Sequence, residues 1–461
     1  MRPSLPRLAR DVVPGVTIGE AITAAPSAII TAIITATITG IMAVIITAIM
    51  TGAACAKDFK IGVIFDETGP FAGGGSKANL IGTKLAIDMA NERGGVEGYT
   101  IVPTYADAQS KIDIALNEAE RLINDVKVDM LMGVYSSAQC VPLSAKVDAA
   151  QEFWWATVCI ASGVFKDKNL RYVFRPTVHS DQYGQASCIF LSENTKDKLG
   201  KDPKDLKVAI LHEDGPYGVG VAQAADDKCK ELAIQVVHKE GYSATSTDLS
   251  ALVTKLRRAR PDVLLHVGYN PDITLFLRQA KEAGLKFSAL IGHGAGYSQY
   301  GKLEETFGKD VNLFMDVDPV AAQILDPRSL KPGLGELIQE MLRRWQAAGG
   351  TGVAPPHLSM GFNNTYVFLT DVLPRAIKVH GGIDAEALRK AALETDIPIG
   401  GTMQGYGVKF YPPGHQMAGQ NERSIAVVMQ YVDGKTNVVW PKQLRTAEPI
   451  LPLPAGHAYA P

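Results

Sequence analysis

Residues 60–105 read KIGVIFDETGPFAGGGSKANLIGTKLAIDMANERGGVEGYTIVPTY, and they indicate the fold class on their own. Two β-rich runs flank a longer helical run, at 60–65, 76–92 and 100–105. Ile81, Leu85 and Met89 recur at every fourth position, so the predicted helix has one apolar face for packing on a sheet. The order strand, helix, strand predicts a parallel sheet covered by crossover helices.

The same alternation of short strands and helices continues through most of the chain. The first cycle adds predicted strands at 129–134 and 153–158, and the second predicts strands at 207–212, 236–238, 263–267, 289–291 and 311–314. Helical stretches follow at 333–348, 358–380 and 384–395, and then short strands at 408–411, 425–431 and 436–439. We therefore predict an α/β fold made of two doubly wound lobes.

The composition is that of a large folded protein with little net charge. The chain has 461 residues, of which 46% are hydrophobic, and this is enough for two lobes with a core each. Lys and Arg number 46 against 48 Asp and Glu, which gives a formal charge of -2. Binding to a phosphate backbone needs a broad positive field, so we expect no nucleic acid partner.

The first 56 residues differ from the rest of the chain and have the pattern of an export signal. Arginines precede a run of Ala, Ile, Thr, Val and Met that ends near residue 50. The small residues at 53–56 suit signal peptidase, so we predict cleavage after Ala56 and a periplasmic protein. Two alternatives stay open: an uncleaved membrane anchor, because the apolar run is long, and a lipid anchor at Cys55.

The sequence carries none of the common enzyme motifs. It has no G-x-S-x-G elbow, no G-x-x-x-x-G-K-[ST] loop and no H-E-x-x-H helix. The glycine run at 73–75 lacks the spacing of a nucleotide-binding loop and is typical of a turn before a helix. The nine histidines stand singly. We therefore predict that the protein is not an enzyme and uses no cofactor or metal ion, with an unrecognised active site as the alternative.

The spacing of the cysteines matches no metal-binding or redox motif. Apart from Cys55 they are Cys140, Cys159, Cys188 and Cys229, and none forms a C-x-x-C pair. An exported protein permits disulfides, and four cysteines allow three complete pairings. The sequence does not choose among these pairings and buried free thiols.

Hydroxyl and aromatic side chains follow several predicted strands. Tyr135, Ser136 and Ser137 come after the strand at 129–134 and start a helix, and Tyr217 opens a later helix. Open α/β sheets bind ligands at the carboxyl ends of their strands, and free amides at a helix N-terminus suit a carboxylate. We predict a carboxylate site at the two serines, with simple N-capping as the alternative. Tyr217 either faces the gap between the lobes or packs at the surface.

Short motifs along the chain resemble the Leu/Ile/Val-binding protein type of periplasmic binding protein. They occur in the family's order at Lys60–Val63, Thr68–Phe71, Gly94–Gly98, the H-x-x-x-x-Y-G turn of His212–Gly218 and the segment Gly268–Lys286. The resemblance implies a type I periplasmic-binding-protein fold, in which two doubly wound lobes are joined by a three-stranded hinge and close on a ligand. It also implies two partners, a small-molecule ligand and the permease of an ABC importer in the inner membrane.

The resemblance places each lobe on discontinuous segments of the chain. We expect a signal peptide at 1–56, a first lobe from 57–178 and 317–402, a second lobe from 179–316 and 403–445, and a C-terminal tail at 446–461. The mature protein is expected to be a monomer.

Carried over by position, the family's ligand contacts fall on loops at strand ends in both lobes. The matching positions are Ser136, Ser137, Ala138, Gln139, Cys159, Ile160 and Ala161 in the first lobe, and Tyr217, Tyr269 or Asn270, and Gly294 in the second. The aromatic residues Tyr135 and His293 and the acid Asp181 are expected to join them at the ligand. In the family, the loops equivalent to 136–139 and 159–161 hold the carboxylate of the ligand.

One departure from the family pattern bears on the ligand. Amino-acid-binding members place an acidic residue where this chain has Gly294, and that acid pairs with the ligand ammonium. A buried ammonium without a counter-charge is strongly unfavourable, so an amino acid is disfavoured unless another acid, such as Asp181, takes this role.

The ligand expected from this departure is a small organic acid, with an aromatic carboxylate as the leading choice. His293, Tyr135, Tyr269 and Tyr297 could surround a ring, and relatives in the family take up aromatic acids. A branched-chain or hydrophobic amino acid is the main alternative, and amides or urea are others. A ligand-sensing receptor subunit on the same fold is the alternative to an importer component.

Overall fold

Two β-sheets form the framework of the protein in this computed structural model, which describes residues 57–461. The predicted signal peptide, its cleavage point after Ala56 and the alternative lipid anchor at Cys55 lie outside the described residues. Between residues 57 and 461, no helix combines the length and the apolar character that crossing a bilayer requires.

The first sheet is five-stranded, parallel throughout, and ordered β2-β1-β3-β4-β5. Its strands are β1 (Lys57–Phe65), β2 (Tyr99–Asp107), β3 (Met130–Gly133), β4 (Trp154–Trp155) and β5 (Val173–Phe174). The second half of β1 is buried on both faces, as expected for a central parallel strand. The strand order reverses between β1 and β3, and this reversal opens a crevice at their carboxyl ends.

The second sheet is seven-stranded and repeats the plan of the first. Its strands are β6 (Lys207–Glu213), β7 (Gln235–Tyr242), β8 (Val263–Val267), β9 (Ala289–His293), β10 (Met315–Asp318), β11 (Val427–Val432) and β12 (Lys435–Trp440). The order is β12-β11-β10-β9-β8-β6-β7, with β6 to β10 parallel and β11 and β12 added as an antiparallel hairpin. The reversal between β6 and β8 creates a second crevice.

Twelve α-helices connect and cover the sheets of the described chain. They are α1 (Ser76–Glu92), α2 (Ile112–Arg121), α3 (Ser137–Ala149), α4 (Ser180–Asn194), α5 (Pro216–Glu231), α6 (Ser250–Ala259), α7 (Asn270–Glu282), α8 (Tyr300–Phe307), α9 (Leu334–Ala347), α10 (Pro356–Val367), α11 (Leu373–Val379) and α12 (Ala385–Leu393). After β10 the chain returns to the first sheet, because α10 packs on α1. It then leads into β11 of the second sheet, so it passes between the sheets three times.

The crossing of α1 and α10 depends on two glycines. A Cβ atom at Gly82 would lie 2.2 Å from the carbonyl oxygen of Leu358, and one at Gly361 would lie 2.0 Å from that of Asn79. The two backbones are therefore in direct contact, which any larger residue would prevent. This contact fixes the start of α10 beside the crevice of the first sheet.

The predicted α/β fold of two doubly wound lobes is confirmed, but two predicted strands are wrong. Residues 311–314 lie in a turn and loop, and the strand is β10, with the sequence MDVD. Two of its four residues are buried aspartates, so the strand has no apolar run from which it could be predicted. Residues 408–411 form only isolated bridges, of which Ile397 to Val408 is one, because no continuous neighbouring strand is available.

The structure pairs the four described cysteines into two disulfides. Cys140 of α3 is joined to Cys159 in the loop after β4, and Cys188 of α4 is joined to Cys229 of α5, with Cα atoms 6.4 and 5.2 Å apart. Of the alternatives left open by the sequence, the structure therefore contains one pairing and no free thiol among residues 57–461.

The C-terminal residues 446–461 pack on the second sheet. The ring of Tyr459 is fully buried and stacks on Phe287 with ring centroids 5.2 Å apart. Its hydroxyl donates a 2.9 Å hydrogen bond to the carbonyl of Leu277. The predicted tail therefore contributes to the hydrophobic core around the second sheet.

Candidate functional site

A small cavity lies where the carboxyl ends of strands from both sheets meet. About 320 Å³ of space lies between its walls, and part of this space is open to solvent. Its lining comes from the β3–α3 junction, the loop after β4, helices α4, α5 and α10, and the loops after β8 and β9: Tyr135, Ser137, Val158, Cys159, Ile160, Tyr183, Tyr217, Tyr269, Gly294, Ala295 and His357. This is the position at which open α/β sheets bind ligands.

The first wall is the N-terminus of α3. Ser136 is the N-cap residue, and its side chain accepts no capping hydrogen bond. The first intrahelical bonds run from the amides of Gln139 and Cys140 to the carbonyl of Ser136, so the amides of Ser137 and Ala138 precede them. The Ser136 hydroxyl is buried, and the side chain in contact with it is the hydroxyl of Tyr269. The N-capping alternative therefore does not account for these two serines.

The loop after β4 is fastened to the same wall. The amide of Ala161 donates a 3.1 Å hydrogen bond to Ser137 Oγ. On its other side, the guanidinium of Arg175 donates to the carbonyls of Cys159 and Ala161 and, at 2.6 Å, to Gln420. Arg175 is fully buried, and burial lowers the pKa of its guanidinium to about 9, so it is a cation at neutral pH. A positive charge therefore lies behind the loop that borders the cavity.

The second wall is formed by tyrosines of the second sheet. The rings of Tyr217 and Tyr269 are 5.4 Å apart, and Phe71, from the loop after β1, packs on Tyr269 at 4.3 Å. The Tyr217 hydroxyl donates to the carbonyl of His293. Burial raises the pKa of Tyr217 and Tyr269 well above the usual value, so their hydroxyls remain neutral donors.

Acidic side chains stand behind this tyrosine wall. Asp318, at the end of β10, is fully buried and accepts a 2.5 Å hydrogen bond from the Tyr183 hydroxyl. Its other oxygen is 3.3 Å from Nε2 of His357 but makes no hydrogen bond within the described chain. Asp316 lies two residues earlier on the same face of the strand and is also fully buried. Burial and the negative charge of Asp318 raise the pKa of Asp316 well above its usual range.

The structure explains why the run at 73–75 ends in a glycine. Gly75 has φ of 121°, and a Cβ atom there would lie 1.7 Å from Nδ1 of His357 and 2.8 Å from the hydroxyl oxygen of Tyr135. Only glycine permits this approach. The loop after β1 therefore closes one end of the cavity against α10.

Half of the predicted ligand-binding residues line the cavity: Tyr135, Ser137, Cys159, Ile160, Tyr217, Tyr269 and Gly294. They come from sequence positions up to 159 residues apart, between Tyr135 and Gly294. The structure therefore brings the serine loop, the loop after β4 and the tyrosines of the second sheet to one place. Tyr217 is both a cavity residue and a packing residue, since it is buried and contacts Tyr269.

Other predicted residues stand next to the cavity lining without being part of it: Ser136, Ala138, Gln139, Ala161 and Asn270. The amide nitrogen of the Gln139 side chain instead donates a 2.8 Å hydrogen bond to Asp66. The amide nitrogen of the Asn270 side chain is buried and makes no hydrogen bond among the described residues.

Three residues that were expected at the ligand lie away from this cavity. The ring of His293 points into the core, where Nε2 is 3.2 Å from the hydroxyl of Ser187. Tyr297 is buried against His266, with its hydroxyl 2.7 Å from Nδ1 of that ring. Asp181 accepts a 2.6 Å hydrogen bond from Ser162 at a separate surface cavity. Neither ring borders the cavity, and Asp181 is not placed to pair with an ammonium there.

The sequence prediction missed Val158, Tyr183, Ala295 and His357. Val158 and Ala295 are neighbours of predicted residues and could have been included. Tyr183 and His357 lie inside helices α4 and α10, where a single polar or aromatic residue gives no signal of its own. Within residues 57–461, no group of three or more His, Cys, Asp or Glu side chains is placed to hold a metal ion.

The wider similarities of the chain agree with this architecture. The profile of the periplasmic binding protein family matches residues 58–435. The chain belongs to the periplasmic binding protein family. Among curated relatives, the Leu/Ile/Val-binding protein homolog 7 of Brucella suis biovar 1 is 33% identical over 402 residues, which are 87% of this chain and 96% of that protein. The resemblance inferred from short motifs is thereby confirmed.

Solved structures show the same fold as this periplasmic binding protein. LivJ of Streptococcus pneumoniae, in complex with isoleucine, superposes with a TM-score of 0.67 at 19% identity and covers 84% of this chain and 100% of its own. A solute-binding protein of an ABC transporter from Rhodopseudomonas palustris HaA2, in complex with p-hydroxybenzoic acid, has a TM-score of 0.67 at 18% identity and covers 86% and 98%. The fold is therefore that of type I periplasmic binding proteins.

Proposed function

We propose that this chain is the extracytoplasmic solute-binding component of an ABC importer, and that it captures a small carboxylate-bearing molecule between its two lobes. The family membership supports the transport role, and the cavity between the sheets supports the position of the ligand. We further propose the lobes expected from the sequence, 57–178 with 317–402 and 179–316 with 403–445. On this proposal the cavity opens and closes as the lobes move about the three connecting segments.

The N-terminus of α3 carries the proposal for a carboxylate. It combines the early amides of Ser137 and Ala138, a buried Ser136 hydroxyl that caps no amide of the helix, and the positive end of the helix dipole. The cationic Arg175 holds the adjacent loop through the carbonyls of Cys159 and Ala161. Both features favour a negative group at this end of the cavity.

Two classes of ligand fit a carboxylate site, and they differ in whether the molecule also carries an ammonium. The p-hydroxybenzoic acid complex of the R. palustris protein supports an aromatic acid, which the sequence favours. The isoleucine complex of LivJ and the names of the Brucella relatives support a branched-chain or hydrophobic amino acid. The specific observation in favour of the second class is Asp318, a buried acid beside the cavity with one oxygen unbonded among residues 57–461.

The remaining parts of the proposal concern the cellular setting. The chain is proposed to be exported, with processing after Ala56 or lipidation at Cys55, and to deliver its ligand as a monomer to an inner-membrane permease. It is proposed to have no catalytic activity, and turnover of a bound ligand would contradict this. A gene neighbourhood with permease and ATPase genes would support the importer role over that of a receptor subunit.

A thermal-shift screen of the purified chain tests the proposed ligand class. The panel consists of aromatic acids, aliphatic acids, hydrophobic amino acids, and amides and urea as molecules without a carboxylate. A ligand at 100 times its dissociation constant adds about 2.7 kcal/mol to the free energy of unfolding, which is a clear shift in Tm. We expect shifts only from carboxylate-bearing molecules. Stabilisation by an amide or urea, with none by any carboxylate, would overturn the proposal.

A further inference from the structure

The acid that amino-acid binders carry in the loop at Gly294 has a spatial counterpart on the neighbouring strand. Gly294 follows β9 and lines the cavity. A Cβ atom added to it would lie 3.6 Å from Oδ1 of Asp318 and 3.5 Å from the hydroxyl oxygen of Tyr217. Asp318 ends β10, which pairs with β9. A carboxylate from β10 thus reaches the space that a side chain at position 294 would occupy.

The hydrogen bonding of Asp318 is incomplete. One oxygen accepts from the Tyr183 hydroxyl, while the other is buried and accepts nothing from residues 57–461. The one basic side chain paired with it in the described chain is His357, whose Nε2 is 3.3 Å away without hydrogen-bond geometry. A buried carboxylate with a free oxygen is unfavourable, and a donor carrying positive charge removes this cost.

Asp316 and Asp318 share a strand and a face but differ in their surroundings. Asp316 is fully buried and contacts the backbone amide of Gly294 and the side chain of Tyr431. Burial and the nearby carboxyl group of Asp318 raise the pKa of Asp316 well above its usual range. Of the two, Asp318 is the aspartate with an oxygen 3.6 Å from a Cβ atom built at Gly294.

We infer that Asp318 is the counter-charge for a ligand ammonium, and that the ligand is a zwitterionic amino acid with its carboxylate at Ser137. This inference rests on the proposed function, because it keeps the carboxylate site and adds a second one across the cavity. The tyrosine rings between the two sites provide neutral donors and faces that attract a cation. The absence of an acid at Gly294 then no longer argues against an amino acid.

Matched pairs of ligands test this inference on the unmodified full chain. Each pair consists of an amino acid and the same molecule without its amino group: leucine with 4-methylpentanoate, valine with 3-methylbutanoate, and phenylalanine with 3-phenylpropanoate. The dissociation constants are measured by calorimetry at pH 7. We expect at least one amino acid to bind at least about 30-fold more tightly than its partner, since a desolvated charge pair is lost in the latter.

Two variants then locate the counter-charge. Asp318→Asn keeps the size of the side chain and removes its charge, and it should reduce the preference for the amino acid to about threefold or less. Asp316→Asn is the matched control from the same strand and should keep the preference, because the carboxylate 3.6 Å from a Cβ atom at position 294 belongs to Asp318. Circular dichroism and Tm verify that both variants are folded. A folded Asp318→Asn protein with the full preference would overturn the assignment.

The outcomes separate this inference from the proposed function. If only the acids without an amino group, benzoate or p-hydroxybenzoate bind, the inference fails while the carboxylate site stands. If amino acids and acids bind equally, the inference also fails. If no carboxylate of either kind binds, both fail. The wild-type comparison tests the inference even if Asp318→Asn does not fold.

Discussion

At the scale of single residues, Ser137 connects the ligand site with the loop that borders it. Its hydroxyl accepts from the amide of Ala161, and its own amide lies at the start of α3. Ser137→Ala should weaken carboxylate binding by roughly 1–3 kcal/mol, because a charge-assisted hydrogen bond is lost and the loop is released. Calorimetry with the best ligand of the screen measures this.

The control for Ser137→Ala is Ser144→Ala in the same helix. Ser144 is also fully buried, but its hydroxyl donates to the carbonyl of Val141 and lies outside the cavity lining. We expect a similar change in stability and no change in affinity. If Ser137→Ala binds as tightly as the Ser144→Ala control, Ser137 only supports the loop.

Asp316 yields a prediction about pH. Burial and the charge of Asp318 raise its pKa above the usual 3.8, whereas in the unfolded chain it ionises near that value. Between the two pKa values, the folded protein holds a proton that the unfolded chain releases, so this group destabilises the fold increasingly as pH rises above about 4. Asp316→Asn removes the cost and should raise the free energy of unfolding at pH 7.

Thermal unfolding of wild type and Asp316→Asn at several pH values checks this sign. The difference in Tm should be larger near pH 7 than at acid pH and should nearly vanish below about pH 3, where Asp316 is protonated in both states of the wild type. A variant that is less stable than wild type at pH 7 would show that Asp316 is ionised and favourably bonded.

At the scale of structural elements, the disulfide between Cys140 and Cys159 ties the first turn of α3 to the loop after β4. These are the two segments proposed to hold the ligand carboxylate. Replacing both cysteines by serine should cost about 3 kcal/mol of stability and weaken ligand binding by about 1 kcal/mol or more, because the loop must be ordered on binding.

The disulfide between Cys188 and Cys229 is the natural control, since it joins α4 to α5 and neither cysteine lines the cavity. Replacing this pair by serine should lower stability by a comparable amount and leave the affinity unchanged. Chemical denaturation and calorimetry on both double variants make the comparison. Equal loss of affinity in the two would mean that the first disulfide has no special role at the site.

The limits of sequence reasoning are also visible at this scale. The strand–helix pattern of residues 60–105 predicts β1, α1 and β2 closely, because each buries a regular apolar face. The pattern fails at β10, since its two aspartates break the hydrophobic run. One of the two, Asp318, supplies the proposed counter-charge that the sequence lacks at Gly294. An acidic residue inside a buried strand interrupts the apolar pattern, so the strand is not predicted. The same residue indicates a functional position, because burying an acid is unfavourable without a role for it.

The site is predictable in part for a related reason. Once the strands are predicted, the loops that follow them are known as well. The sequence therefore predicts Ser137, Cys159, Tyr217 and Tyr269 as site residues. His357 is not, because α10 reaches the cavity only through its backbone contact with α1. The direction of the His293 side chain could not be predicted either. Adjacent residues of a strand point to opposite faces, and the sequence does not fix which face His293 takes at the end of β9.

At the scale of the whole molecule, two lobes connected by three segments are expected to move relative to each other. The proposed lobes contact each other directly, as in the packing of Phe71 on Tyr269 and the 3.1 Å hydrogen bond that Lys302 Nζ donates to the carbonyl of Gly73. Adding a ligand should favour the closed arrangement and lower the radius of gyration in small-angle X-ray scattering. An unchanged radius at saturating ligand would contradict capture by closure.

The proposed function requires that this periplasmic binding protein hold the carboxylate of a small ligand at the start of α3, in the cavity between its two sheets. A crystal structure of the full chain with the ligand selected by the screen is the decisive measurement. We predict carboxylate oxygens about 2.7–3.2 Å from the amides of Ser137 or Ala138 or from the hydroxyl of Ser136 or Ser137. A ligand bound elsewhere, or bound in this cavity with its carboxylate turned away from α3, would contradict the proposal.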